Sequence, residues 1–275
     1  MPSATLQPIV EYRGVEGLVA AEILVDDGTT FSTGTPFAIA GVATVEKSTE
    51  NSMDTKYYDN FGAIIIDAQG NDTVSLNVSA IPLDVYATLT GQYYDAGTGA
   101  VYEGNQDVKY FALGYKAQNT NNDDMYVWRL KGRFSIPNQT NQTKDASTTS
   151  NGQTLTYTGI STTHKFNKDG KPHKSVVLDA SKNLVDTTNF FASVQTPDTL
   201  VPLTSYKLTK TVAEGTSVVV QKGITYLDNN DTIYAGDQLK ITVTGGTVTV
   251  DGEAFISGDI HVVTGNTAVV STASA

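Results

Sequence analysis

The stretch Tyr57 to Gly91 (YYDNFGAIIIDAQGNDTVSLNVSAIPLDVYATLTG) shows two hydrophobic periods in succession, and this limits what the chain can fold into. Ala63 to Ile66 is an apolar run, Gly70-Asn71 reads as a turn, and Thr73 to Ala80 alternates with Val74, Leu76, Val78 and Ala80 on one face. Such a pattern predicts a hairpin. Its second strand turns Thr73, Ser75, Asn77 and Ser79 the other way, giving an outer face that is polar and uncharged. Pro82 then breaks the strand, and Leu83, Tyr86 and Leu89 or Thr90 fall at helical spacing. Pro82 suits a first helical position, Asp84 suits the positive end of the helix dipole, and Gly91 suits a left-handed stop. This is the clearest helix in the sequence. The remainder reads mainly as strand and turn, which predicts a largely antiparallel β body with one short flanking helix.

Further strands are expected at Leu18 to Val25, Phe37 to Glu46, Val108 to Lys116, Met125 to Ile136, Leu155 to Ile160 and Ser175 to Leu178, with a second short helix at Thr188 to Val194. Residues 1–14 read as an extended arm, and Pro137 to Gly152 as a low-complexity Asn/Gln/Thr/Ser segment. Lys47 to Asn60 (KSTENSMDTKYYDN) is polar and mixed in charge, either a long loop or the tip of a long hairpin. A loop of that length is usually functional or held by a partner. From Ser205 onward, short strands recur between Gly, Asn and Asp turns, as expected for a small Ig-like β-sandwich, the alternative being that they extend the first domain's sheets. The boundaries read as 1–197 for the first domain and 198–275 for the second.

The net charge of −11 over 275 residues disfavours nucleic acid binding by charge neutralisation. The absence of cysteine rules out disulfides and thiolate chemistry. No apolar run is long enough to span a bilayer as a helix, and MPSATLQPIVEYRG lacks the layout of a secretory signal. The N-x-[ST] triplets at Asn71, Asn77, Asn138, Asn141 and Asn230 therefore read as chance matches. His164, His173 and His261 sit in no catalytic motif, Asp123-Asp124 and Asp228 to Asp231 lack calcium-loop spacing, and no phosphate loop is present. No cofactor or metal is expected. On Met125 to Ile136, the expected core row is Tyr126, Trp128, Leu130 and Phe134, and the opposite face carries Arg129, Lys131 and Arg133. This cationic stripe reads either as a phosphate track or, as the total charge favours, as one half of an ion-pair network, and if the partners belong to an adjacent copy it would set orientation between subunits.

Taken together, EYRGVEGLVAAEILVDDG (11–28), TGTPFAIAGVA (33–43), SAIPLDVYATLTGQYYD (79–95), VKYFALGYK (108–116), YVWRLKGRFSIP (126–137), TYTGISTTHKF (157–166) and FFASVQTPDTL (190–200) resemble the major tail tube proteins of long-tailed, non-contractile phages of Gram-positive hosts. The portion after Thr199 resembles the optional Ig-like domain some of them carry. The resemblance implies a β-sandwich or split barrel with a flanking helix. Six copies would form a ring, and rings would stack into a hollow tube with a continuous inner barrel. It implies a structural virion role without chemistry, assembly in the host cytoplasm around a tape-measure protein, and contacts with tail terminator and distal tail proteins. DNA would pass through without specific binding, and no membrane insertion is implied.

Within that resemblance, Thr73, Ser75, Asn77 and Ser79 suit a lumen lining, because uncharged polar groups stay wetted without holding phosphates. Lys47 to Asn60, with Lys47, Glu50, Asn51, Met53, Tyr57 and Tyr58, matches the loop that reaches the next ring. The C-terminal domain would project outward toward a host-surface glycan or protein, where repeated weak contacts give avidity. The competing reading is a secreted carbohydrate-binding or adhesin-like β protein.

Overall fold

Alternation of apolar and polar residues sets most of the strands, and the protein, a computed structural model describing residues 9–138, 152–182 and 184–273, is mainly β. Packing divides the chain into two units, Met1–Leu200 and Val201–Ala275. In chain order the first unit contains β1 (Tyr12–Asp26), β2 (Phe31–Thr33), β3 (Phe37–Ala38), β4 (Val42–Tyr58), β5 (Phe61–Val78), α1 (Leu83–Thr90), β6 (Tyr93–Asp95), β7 (Ala100–Tyr102), β8 (Phe111–Asn119), β9 (Asp124–Phe134), β10 (Gln153–Gly159) and β11 (Ser175–Asp179). One sheet runs β2-β1-β8-β9-β10-β5-β4, with β3 also on β1 and β11 also on β9, while β6 and β7 form a separate small hairpin. Every pairing in this unit is antiparallel.

The sheet is covered on both faces, because neighbouring residues sort into different apolar clusters. Ala20, Phe111, Leu113 and Val127 pack with Val74, Leu76, Val78, Leu155 and Tyr157. Ala21, Ala112, Trp128 and Leu130 pack instead with Phe166, Val176, Phe190 and Val194. The second cluster is closed by chain that follows β10, and Trp128 Nε1 donates to Phe190 O at 3.3 Å. Thr188 to Val194 supplies this cover as a series of turns rather than the expected helix, closed by three-residue-step bonds from Phe190 N–H to Thr187 O and from Ala192 N–H to Asn189 O.

Helix α1 forms as its sequence signals require, with one shift. Pro82 is the cap rather than the first helical residue, Asp84 lies in the first turn, and Gly91 adopts φ 70° with its N–H on Ala87 O. Ala87, Leu89 and Thr90 face inward, whereas Leu83 is exposed.

Four other expectations are corrected. Gly70-Asn71 lies inside β5, which is a single strand, and the actual turn is Asp59-Asn60. Phe37 to Glu46 is broken into β3 and the start of β4. Tyr12 to Gly14, placed in the N-terminal arm, already pair or lie within β1; residues 1–8 of that arm fall outside the described residues, as do 139–151 of the low-complexity segment. On β9, the register slips between Phe111↔Gly132 and Leu113↔Arg129, so β9 advances three residues while β8 advances two. An extra residue reverses the facing of all that follow. Phe134 therefore joins the cluster of Val127 rather than that of Trp128, and Arg129, Lys131 and Arg133 do not share one continuous face.

The second unit contains β12 (Ser205–Thr211), β13 (Ser217–Lys222), β14 (Thr225–Leu227), β15 (Thr232–Tyr234), β16 (Gln238–Thr244), β17 (Gly246–Val250), β18 (Glu253–Phe255), β19 (Ile260–Val262) and β20 (Thr267–Ala273). Its sheets run β15-β12-β20-β17-β18 and β14-β13-β16-β19, with β12 and β20 parallel. They share one core that includes Leu208, Val220, Ile233, Leu239, Ile241 and Val269.

Candidate assembly surfaces

Strands β4 and β5 pair from Val42↔Val78 to Tyr58↔Phe61. Asp59 and Asn60 take φ 49° and 67°, the two positive values a tight hairpin turn requires, and Asp and Asn tolerate them. Near the body, β5 buries Asp72, Val74, Leu76 and Val78. Beyond it, every residue from Glu50 to Gln69 is exposed. Lys47 to Asn60 is therefore one strand of a hairpin arm plus its turn, the second of the two alternatives the sequence left.

Pairing register assigns the arm's two faces, because residues directly opposite in an antiparallel pair point the same way. Met53, Thr55 and Tyr57 share one face with Ile65, and Asp54, Lys56 and Tyr58 share the other with Ile66, Ile64 and Phe61. Both faces are thus apolar in part. Tyr57 is 71 % exposed, Phe61 75 % and Ile65 68 %. Clustered exposure of this kind marks a binding surface, and a two-stranded ribbon alone is marginal in water. Glu50, Asn51, Met53, Tyr57 and Tyr58 lie on the arm, whereas Lys47 is at its root, 3.7 Å from the Asp72 carboxylate. The contribution of Phe61, Ile64, Ile65 and Ile66 is missing from the site as read from sequence. Their unalternated apolar run was its signal.

The far edge of β4 pairs with no strand among the described residues. A long open edge is a template for another chain.

Thr73, Ser75 and Asn77 point away from the buried Val74, Leu76 and Val78, and the strands beside them extend the polar face with hydroxyls and one carboxylate, Glu46. Thr158, Thr156 and Thr154 of β10 stand opposite them on one side, and Ser48, Glu46 and Thr44 of β4 on the other. Asn77 bridges the two neighbours, its Nδ2 donating to Thr44 Oγ1 at 2.7 Å and its Oδ1 accepting from Thr154 at 2.9 Å. Ser79 lies just past β5, where its hydroxyl accepts the Gly41 N–H at 3.1 Å.

The cationic residues of β9 are dispersed. Arg129 is buried and pairs with Asp72 of β5 at 3.2 Å. Lys131 pairs with Asp26 at 2.5 Å. Both carboxylates belong to the same chain, which corrects the expectation that these two cations reach an adjacent copy. Arg133 is half-buried opposite Thr158, beside the polar face. Burial of Asp26 raises its pKa, but hydrogen bonds from Lys131 and from the Thr163 and His164 backbone N–H groups outweigh that and hold the carboxyl below its ordinary value.

Elsewhere, an open groove of about 500 Å³ is lined by Glu16, Lys116, Tyr126, Phe190 and Phe191. His164 and His173 pack against Phe166, and His261 lies 3.6 Å from Asp251 in the second unit. Among the described residues no group of His, Asp and Glu is arranged to hold a metal, and no helix is long and apolar enough to cross a membrane.

The fold and these surfaces define a β-sandwich protein that carries an exposed apolar arm and a polar, hydroxyl-rich sheet face that includes the carboxylate of Glu46. Residues 40–196 match the family model described as phage tail tube protein, which covers more than half of the chain, and the protein belongs to that family. Its role is accordingly that of a structural component of the virion tail. A search of curated proteins returned no match.

Proposed function

We propose that this protein is the major subunit of a tail tube, with six copies closing each ring and rings stacking into a hollow cylinder. The observation that carries the reading is the arm, which is exposed from Glu50 to Gln69 and apolar on both faces. A ribbon sandwiched between subunits is covered on both sides at once. Ring closure uses the open edge of β4, so that sheets of neighbouring copies join into one barrel without free edges. The face built from Thr73, Ser75, Asn77, Thr154, Thr156 and Thr158 then lines the channel, with Ser79 at its margin.

In that position hydroxyls and amides keep the wall wetted, and a net charge of −11 per subunit disfavours retention of DNA phosphates. The channel houses the tape-measure protein during assembly in the host cytoplasm and later conducts the genome. Tail terminator and distal tail proteins cap its ends. Arg133, beside the channel face, is the remaining candidate for an ion pair across subunits. Residues 201–275 form the outward decoration, available to host-surface glycan or protein. This is the siphovirus type of tail, and the second unit is read as Ig-like from its two sheets and the parallel β12–β20 pair inside one of them.

The test is negative-stain microscopy of concentrated wild-type protein beside a variant carrying Tyr57→Ser, Phe61→Ser and Ile65→Ser. Tubes or rings are expected from wild type alone, with both proteins equally folded by near-ultraviolet circular dichroism. Tubes from the variant would refute the role given to the arm.

A further inference from the structure

The arm leaves the body at a single charged knot. Between Thr49↔Asp72 and Asn51↔Gln69, β4 advances two residues while β5 advances three, so a bulge bends the ribbon where it emerges. Gly70 allows the bend, because a Cβ there would lie 2.8 Å from Glu50 Cβ. Immediately on the body side sits Asp72, 3 % exposed. Its carboxylate gathers four groups from separate parts of the fold. Thr49 Oγ1 donates to it at 2.9 Å, and Arg129 Nη1 at 3.2 Å. Lys174 Nζ lies 3.5 Å away and also donates to the Gly70 carbonyl within the bulge, while Lys47 Nζ lies at 3.7 Å.

Three cations thus converge on one carboxylate at the boundary between buried and exposed β5. A body strand could end in a Leu or Val at lower cost, since buried ion pairs seldom gain stability over apolar packing. Polar knots of this kind instead specify geometry. We propose that Asp72 is the positioning residue of the arm: by tying β4, β9 and the Lys174 turn to the bulge, it fixes the direction in which Glu50 to Gln69 projects from the free subunit. Preset direction removes an ordering cost from assembly. The consequence for tubes rests on the arm being the assembly element, but the direction itself does not.

The experiment uses the absence of native cysteine. Asp59→Cys at the arm's turn and Lys168→Cys on the body are spin-labelled in the unassembled full-length chain, and the distance between them is read by double electron–electron resonance. The expected result is one narrow distribution in the otherwise wild-type chain and a distribution at least twofold wider in Asp72→Asn. Near-ultraviolet dichroism of the single Trp128, which lies in the other cluster, reports whether the body is intact. Lys47→Met, at a partly exposed side chain at the rim of the knot, serves as a second variant and is expected to broaden the distribution less. Equal widths in wild type and both variants would overturn the proposal while leaving the tube reading intact. Loss of tubes in the arm-face variant together with unchanged widths here separates the two cleanly.

Discussion

At the scale of residues, the acidic character of the chain is put to use in fixed places. Asp26 is the second carboxylate with many partners. It accepts the Thr163 N–H at 2.9 Å and the His164 N–H at 2.8 Å, and pairs with Lys131. These bonds tie the end of β1 to the segment after β10. Its depressed pKa stabilises the fold above the ordinary value of 3.8, and that contribution is lost as pH falls through the lower folded value. Asp26→Asn keeps the shape but removes the charge, leaving Lys131 without its counter-ion. A loss of about 2 kcal/mol is expected near pH 7. Between wild type and variant, the gap in thermal midpoint should narrow as pH is lowered below about 4. A gap that stays constant to pH 2 would contradict this role.

Elements differ in how openly the sequence declared them. The core face of β5 and helix α1 were legible because Val74, Leu76 and Val78 alternate and because Asp84 and Gly91 punctuate the helix. The arm was only half legible, as one of two readings of Lys47 to Asn60, since its turn carries Asp59-Asn60 without a glycine while Gly70-Asn71 imitates a turn inside a strand. The dispersal of Arg129, Lys131 and Arg133 was only hinted at, by Gly132 interrupting the alternating row, because the bulge beside it arises from pairing with β8. The helix supplies the prediction at this scale. Gly91 holds φ 70°, and a Cβ there would lie 2.0 Å from Asp107 O, so Gly91→Ala combines backbone strain with a collision. Urea unfolding should show a loss of at least about 2 kcal/mol, with the helix end moving and Leu89 losing cover. A change under about 0.5 kcal/mol, the range of a neutral surface substitution, would mean the end of α1 is free to shift.

For the whole molecule, two features fit the proposed assembly with copies of itself: the edge of β4, unpaired among the described residues, and the arm with apolar side chains on both faces. The Asp72 knot joins them, since it stands where the edge leaves the body and the arm begins. The family match fits such a subunit, and the polar sheet face gives a physical reason why the proposed channel would let DNA slip. The most direct measurement is a cryo-electron microscopy map of the polymer formed by the full-length protein. The account predicts six-fold rings in which Glu50 to Gln69 is buried against other subunits and Thr73, Ser75 and Asn77 face the channel. A map with the arms in solvent, or with those three side chains turned away from the channel, would contradict it.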